Sequence, residues 1–166
     1  MIVNIALLTV TDTRTFENDK SGAILVNKID KAKHKLVDRK ICKDTKEEIV
    51  KILKDWINKE NIDVIITTGG TGLTGRDITP EAINEIADKH IPGFGEVFRT
   101  LSLKTVGTSA IQSRACAVLA NGKYVFALPG SSGGVTDAWE GILKHQLDIN
   151  HKPCNVVELF PRLKEI

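Results

Sequence analysis

The sequence predicts an α/β protein, a three-layer α/β/α sandwich around a mostly parallel sheet with an antiparallel hairpin at its edge. First, short β-branched and apolar runs alternate with segments of helical periodicity. Second, residues 62–68 (IDVIITT) are almost continuously apolar or β-branched, as expected of a central strand covered on both faces. Third, strand-like residues 115–120 and 123–128 flank Asn121-Gly122, which is typical of a two-residue hairpin turn.

Four elements are predicted before the central strand. Residues 4–10 form a strand candidate because apolar and β-branched side chains predominate there. After a polar loop, residues 23–33 carry apolar side chains at helical spacing and predict a helix. Residues 36–41 are a short second strand candidate. Residues 45–58 predict a helix, because their apolar side chains fall at i, i+3, i+4 and i+7.

Three helices are predicted after the central strand. Thr79 is the expected N-cap of the first, with Pro80 at its first helical position. The second spans residues 94–104, and the third follows the glycine- and serine-rich segment at 129–134. A chain of this length without a linker or internal repeat predicts a single domain over residues 1–166.

The composition predicts a soluble, cytoplasmic protein. The net charge is +2, and no segment approaches the roughly 20 apolar residues that a membrane helix needs. Basic side chains crowd between Lys28 and Lys46, but this region has no aromatic residue to stack on bases, so we expect a solvated surface and no nucleic-acid partner. Cys42, Cys116 and Cys154 lack metal-site spacing and are expected to be reduced core residues.

A glycine-rich segment, TTGGTGLTGRDITPEA at residues 67–82, lies between the central strand and a helix. Three of its glycines match the dinucleotide-binding pattern, but the helix starts too late for that fold. P-loop spacing is also present, but Arg76-Asp77 replace the Lys and the Ser or Thr of that motif. The remaining explanation is physical: successive glycine N–H groups and threonine hydroxyls bind an oxygen-rich anion.

Two aspartates near this segment each have two interpretations. A carboxylate at Asp77 would repel a bound phosphate unless a cation lay between them, and Mg²⁺ prefers one or two carboxylates together with substrate phosphates. We favour this role for Asp77 over that of a turn residue bonded to its own backbone. The pattern Asp44-Thr45-Lys46-Glu47 favours a helix N-cap, whereas the position of Asp44 after a strand would bring it to the same rim as the loop.

The glycine segment, together with IPGFGEVFRTLS, GTSAIQSRA and LPGS, resembles the MogA/MoaB family of molybdenum cofactor biosynthesis, and the resemblance covers essentially the whole chain. It implies an α/β/α domain that forms homotrimers or hexamers and binds molybdopterin. Active members use ATP and Mg²⁺ to adenylylate molybdopterin, whose terminal phosphate attacks the α-phosphorus of ATP and displaces pyrophosphate. Other enzymes of the molybdenum cofactor pathway are implied as further partners.

The resemblance also implies a set of site residues. Asp44 and Asp77 correspond to the catalytic acids and are expected to bind Mg²⁺. The implied substrate-binding residues are Thr11, Asp12, Ser21, Gly22, Gly69, Gly70, Thr71, Gly72, Gly130 and Ser131. Of these, residues 69–72 are expected to hold phosphate. Many adenylyltransferases of the family have Ser-Asp in place of Thr11-Asp12 and a Pro-Gly-x-Pro loop in place of residues 129–134.

Two other functions remain open at this point. One is a non-catalytic family member that binds molybdopterin or a partner protein without turnover. The other is a different reaction on the same fold, as in the related competence-damage-inducible (CinA) proteins, which have a similar glycine block. Because both Asp44 and Asp77 are present, adenylyl transfer is the favoured function.

Overall fold

The computed structural model describes residues 1–165, which contain a six-stranded mixed sheet. The strands are β1 (Asn4–Val10), β2 (Lys35–Cys42), β3 (Val64–Thr68), β4 (Lys89–His90), β5 (Cys116–Ala120) and β6 (Lys123–Leu128). Their order across the sheet is β2-β1-β3-β6-β5-β4. The first four in this order are parallel, and β5 and β4 form the antiparallel edge. The predicted fold class is confirmed, although the two-residue strand β4 was not predicted.

Helices lie on both sides of this sheet. The α-helices are α1 (Lys20–Lys31), α2 (Lys46–Ile57), α3 (Thr79–Ile86), α4 (Pro92–Val106), α5 (Ser132–Ala138) and α6 (Lys144–Gln146). A π-helical segment, Trp139–Leu143, joins the last two, and 3-10 helices occupy Gly107–Gln112 and Val157–Arg162. Within residues 1–165, no helix has the length and apolar character needed to cross a membrane.

The three layers follow from the alternation of side chains along the strands. In β1, Ile5 and Leu7 join the apolar cluster that includes side chains of α1, α4 and α5. Ala6 and Leu8, on the opposite face of β1, join a second cluster with side chains of α2 and α3. All four side chains are fully buried. A strand that is apolar on both faces therefore accounts for a helical layer on each side.

The hairpin between β5 and β6 confirms the prediction made from its turn residues. Asn121 has a φ of 48° and Gly122 a φ of 71°. A type I′ turn requires positive φ at both positions, and Asn and Gly are the residues that adopt it most readily. This turn makes β5 antiparallel to the otherwise parallel part of the sheet.

Several helix starts differ from the prediction; α4, for example, begins at Pro92 rather than at residue 94. Helix α1 begins at Lys20 because the buried Asp19 carboxylate accepts the N–H of Gly22 at 3.0 Å and caps the helix three residues early. The N-cap of α3 is Ile78, and Thr79 is the first helical residue. The predicted capping role of Thr79 is therefore wrong.

The cysteines are free thiols but do not share one environment. Cys42 is buried at the end of β2, as predicted, and burial raises the pKa of its thiol to about 12. Cys154 is exposed in the carboxyl-terminal segment, so the prediction of a core role is wrong for this residue.

Candidate functional site

Three loops meet where β1, β3 and β6 end. They are residues 11–19 after β1, residues 69–78 after β3 and residues 129–131 after β6. Thr68 at the end of β3 donates its hydroxyl to the Pro129 carbonyl at 2.8 Å, and Arg14 donates Nη1 to the Gly130 carbonyl at 2.9 Å. Parallel strands bring their carboxyl ends to one edge of the sheet, which is the usual position of ligands in open α/β folds.

The loop after β3 passes so close to its neighbours that side chains are excluded at two positions. Gly69 has a φ of 104°, and a Cβ on it would lie 2.1 Å from the Val10 carbonyl oxygen. Gly70 has a φ of 66°, and its Cβ would lie 2.4 Å from Thr79 Oγ1. Both glycines are therefore required by conformation and by close packing, which is against backbone at Gly69 and against the Thr79 side chain at Gly70.

A cavity of about 770 Å³ opens beside this loop. Six of the predicted site residues line it: Gly70, Thr71, Gly72, Asp77, Gly130 and Ser131. The opposite wall comes from α4, the following 3-10 helix and α5, and its polar residues, which were not predicted, are Ser102, Thr105, Ser109, Gln112, Ser113 and Asp137. The volume falls within the range of small-molecule sites, about 300–1,000 Å³.

Asp77 is tied to its own loop and also faces the cavity. Its Oδ2 accepts the backbone N–H of Thr74 at 2.9 Å and the Thr74 hydroxyl at 2.7 Å. Partial burial raises the pKa of Asp77, but hydrogen bonds from Thr74 and from the Gly72 N–H outweigh burial and keep the pKa below its ordinary value. Asp77 thus makes the turn bonds of the alternative interpretation while presenting an ionised carboxylate to the cavity.

Asp44 does not cap α2, so the capping pattern was misleading. The N-cap is Thr45, which makes no side-chain capping bond. The Asp44 carboxylate instead lies against the glycine loop, with Oδ1 3.0 Å from the position of a Cβ on Gly70. Burial, followed by repulsion from Asp12 and Asp77, raises the pKa of Asp44 above its ordinary value.

Three carboxylates and one guanidinium share this rim. Arg76 forms a two-point ion pair with Asp12, with Nε to Oδ2 at 2.9 Å and Nη2 to Oδ1 at 2.8 Å. The charges of Asp44 and Asp77 are not matched in this way. Two carboxylates beside a loop suited to phosphate form a donor set that Mg²⁺ accepts. Across residues 1–165, no group of three or more His, Cys, Asp or Glu side chains is placed to hold a metal ion.

Asp44→Asn is expected to stabilise the protein when no divalent cation is present, because it removes one of the mutually repelling carboxylates. Solvent screens these partly exposed charges, so the gain in unfolding free energy should not exceed about 1 kcal/mol. The measurement is thermal unfolding at neutral pH in EDTA and again with excess Mg²⁺. Mg²⁺ should stabilise the wild-type protein more than the variant; equal responses would contradict a cation site that includes Asp44.

The predicted residues after β1 are not among those that line the cavity. Ser21 and Gly22 are buried at the start of α1, and the Thr11 hydroxyl accepts the N–H groups of Thr13 and Arg14. Ser21 Oγ receives a hydrogen bond from Arg14 Nη1 at 3.1 Å, which links α1 to the loop after β6. These residues connect the loops around the site through hydrogen bonds. Similarly, the N–H of Gly69 donates to the Leu128 carbonyl at 3.0 Å and is not free for phosphate.

Asp19 is the main structural residue that the sequence did not reveal. Its side chain has no exposed surface, and Oδ2 accepts the Thr9 hydroxyl at 2.6 Å and Arg39 Nη2 at 3.0 Å. Burial raises the pKa of Asp19, but the bonds from Thr9, Gly22 and Arg39 outweigh burial and lower it below its ordinary value. The only sequence signal was an Asp three residues before Gly22, an ordinary helix-capping pattern.

Asp19→Asn should destabilise the fold by about 2 kcal/mol, because the amide group cannot accept hydrogen bonds on both sides and leaves Arg39 without its counter-charge. A depressed Asp pKa stabilises the folded state above the unfolded pKa of about 3.9, and this contribution is lost as the pH falls through the folded-state pKa. Urea unfolding at several pH values should therefore show a difference in unfolding free energy between the wild-type protein and Asp19→Asn that is largest at neutral pH and decreases in acid. A difference that does not change with pH would mean that the charge of Asp19 is unimportant.

Comparison with known proteins agrees with this geometry. Residues 6–149 match a family model described as a probable molybdopterin binding domain. Molybdenum cofactor biosynthesis protein B of Escherichia coli K12 is 44% identical over 161 residues, which cover 97% of this chain and 93% of that protein. A crystal structure of molybdenum cofactor biosynthesis protein B has a TM-score of 0.86 and 43% identity, covering 89% of this chain and 92% of the other. The tungsten cofactor synthesizing protein MoaB from Pyrococcus furiosus has a TM-score of 0.78 and 37% identity over 87% of this chain and 92% of its own.

Proposed function

The chain belongs to the molybdopterin-binding MogA/MoaB family of molybdenum cofactor biosynthesis proteins, and we propose that it binds molybdopterin and adenylylates it with ATP and Mg²⁺. The observation that carries this proposal is the cavity itself. Gly70, Thr71, Gly72 and Asp77 line one side of this cavity, and polar side chains line another. The cavity is large enough for an organic substrate. The Asp44 carboxylate also lies against Gly70 of this loop.

In the proposed reaction, an oxygen of the terminal phosphate of molybdopterin attacks the α-phosphorus of ATP. A new P–O bond forms at the α-phosphorus. The bond between the α-phosphorus and the oxygen that bridges the α- and β-phosphates breaks, and pyrophosphate leaves with that oxygen. The attacking group is already an anion, so the protein does not need a strong general base. Its tasks are to align two negatively charged substrates and to offset the charge that develops between them.

The described residues suit these two tasks. Gly70, Thr71 and Gly72 line the cavity; the N–H groups of Gly70 and Thr71 and the Thr71 hydroxyl would hold phosphate oxygens, while the Gly72 N–H bonds to Asp77. Asp44 and Asp77 would hold Mg²⁺, whose charge would offset that of the phosphates. Asp77 is oriented for this by Thr74, which binds Oδ2 twice. Arg14 keeps the loop that contains Gly130 and Ser131 against the site.

The polar wall across the cavity would receive the pterin. Its hydroxyl, amide and carboxylate groups come from α4, the 3-10 helix and α5. Thr105 donates its hydroxyl to Asp137 Oδ2 at 2.9 Å and thereby joins two of these elements. A pterin ring has several hydrogen-bond donors and acceptors along one edge, and a wall of this composition can pair with them.

The test is a direct assay of the purified protein with molybdopterin, ATP and MgCl₂. Adenylylated molybdopterin and pyrophosphate should appear in equal amounts, and neither should form when molybdopterin is omitted. Bound but unchanged molybdopterin would support the non-catalytic binding role instead. Hydrolysis of the nucleotide without any pterin would indicate a different reaction on this fold.

A further inference from the structure

Arg114 contacts the glycine loop through its backbone and through its side chain. Its N–H donates to the Thr71 carbonyl at 2.9 Å, and its guanidinium donates Nε to the Gly72 carbonyl at 2.7 Å and Nη2 to the Asp77 carbonyl at 2.6 Å. The remaining amino group, Nη1, forms an ion pair with Glu81 of α3. One residue, more than 30 positions away in sequence, therefore binds both ends of the loop that lines the cavity.

These bonds determine which way the loop peptides face. In a trans peptide the carbonyl and the following N–H point in opposite directions. Because the Thr71 and Gly72 carbonyls are turned toward Arg114, the N–H groups of Gly72 and Leu73 are turned away from it. The Gly72 N–H bonds to the carboxylate of Asp77, which lines the cavity, so the peptide orientation that Arg114 fixes also holds Asp77. A guanidinium on the carbonyl side also balances the partial negative charges that gather there.

Arg114 also joins the two walls of the cavity. It follows directly after Gln112 and Ser113, which line the wall opposite the glycine loop. Hydrogen bonds of Arg114 therefore connect that wall directly to the loop. The guanidinium is held by Glu81, so it cannot rotate freely away from the loop carbonyls.

We propose that Arg114 is the positioning residue of the glycine loop: it fixes the orientation of the loop peptides and thereby of the Asp77 carboxylate, and it couples them to the wall that receives the organic part of the substrate. This inference rests on the proposed function, since it takes the glycine loop as the phosphate site. Arg114 acts through the loop backbone and does not itself line the cavity.

The test measures binding of inorganic pyrophosphate with Mg²⁺ by calorimetry, alongside the melting temperature of each variant. Arg114→Gln should weaken pyrophosphate binding by about 10- to 100-fold, as expected when a residue that orients ligand-binding groups is removed. Arg114→Lys keeps the charge but reaches fewer carbonyls, so its affinity should be intermediate. The matched control is Arg99→Gln: Arg99 also binds backbone carbonyls, of Ser113 and Ala115, but does not touch the loop.

The outcomes separate this inference from the proposed function. Loss of affinity in folded Arg114→Gln with unchanged affinity in Arg99→Gln supports the positioning role. If the wild-type protein and folded Arg114→Gln bind pyrophosphate equally, the positioning role is wrong and the proposed function is unaffected. If Arg114→Gln does not fold, Arg114→Lys decides, and wild-type affinity in that variant contradicts the inference. If the wild-type protein binds no pyrophosphate with Mg²⁺, the phosphate site and this inference both fail.

Discussion

Asp77→Asn is expected to lower the rate of adenylyl transfer by about 10²- to 10³-fold, equivalent to about 3–4 kcal/mol of transition-state stabilisation. The variant loses the negative charge that we propose binds Mg²⁺. It keeps an oxygen that accepts both hydrogen bonds from Thr74, so the loop should retain its shape. The measurements are the turnover number with ATP and molybdopterin and, separately, the affinity for molybdopterin, which should remain close to that of the wild-type protein.

The control for this experiment is Glu85→Gln, which also replaces one carboxylate by an amide. Glu85 lies on α3, the helix that follows the loop, but it pairs with Lys46 and Lys54 on the surface and does not line the cavity. Its turnover should be unchanged. Wild-type turnover in Asp77→Asn would remove Asp77 from the mechanism. Parallel losses of turnover and of molybdopterin affinity would indicate a general loss of the site rather than of a cation ligand.

Gly69→Ala should lower the free energy of unfolding by about 3 kcal/mol or more, since the left-handed conformation and the steric clash each carry a penalty. The φ of 104° is outside the regions that an L side chain readily adopts, and the clash is with backbone, which cannot rotate away as a side chain could. The measurement is urea unfolding followed by circular dichroism. The N–H of Gly69 bonds to Leu128, so distortion here should also disturb the contact between β3 and β6.

Gly75→Ala is the matched control within the same loop. A Cβ on Gly75 would have no heavy atom within 4 Å, and its φ is outside the positive region. This change should alter stability by no more than about 0.5 kcal/mol. Equal unfolding midpoints for the two variants would show that the loop can move away from β1, and the packing argument for Gly69 would then be wrong.

Elements with a local signal could be predicted from the sequence. The turn at Asn121-Gly122 is encoded by two residues that tolerate positive φ, and both adopt it. The helix at α2 was predicted from the spacing of its apolar residues, of which Ile49, Leu53 and Trp56 are buried. In each case the structure of the element is determined by residues that are adjacent in sequence or that recur at a regular helical spacing.

The start of α1 and the roles of the aspartates could not be predicted in the same way. Asp19 caps α1 and also binds Arg39, a partner 20 residues away. Asp44 matched a capping pattern, yet its carboxylate packs on Gly70 instead of on its own helix. A capping pattern indicates only which nearby backbone groups a side chain could bind. It gives no information about residues distant in sequence that the fold brings close and that compete for the same side chain.

By itself, the sequence determined the alternation of strands and helices, the glycine loop after the central strand and the family to which the chain belongs. The tertiary structure decided which residues face the cavity: it placed Gly72 in the lining, used the N–H of Gly69 for the neighbouring strand, and buried Ser21. It also brought Arg114 to the loop. The physical reason is that the positions of these residues depend on hydrogen bonds between residues far apart in the chain. No local pattern in the sequence indicates which donor bonds to which acceptor.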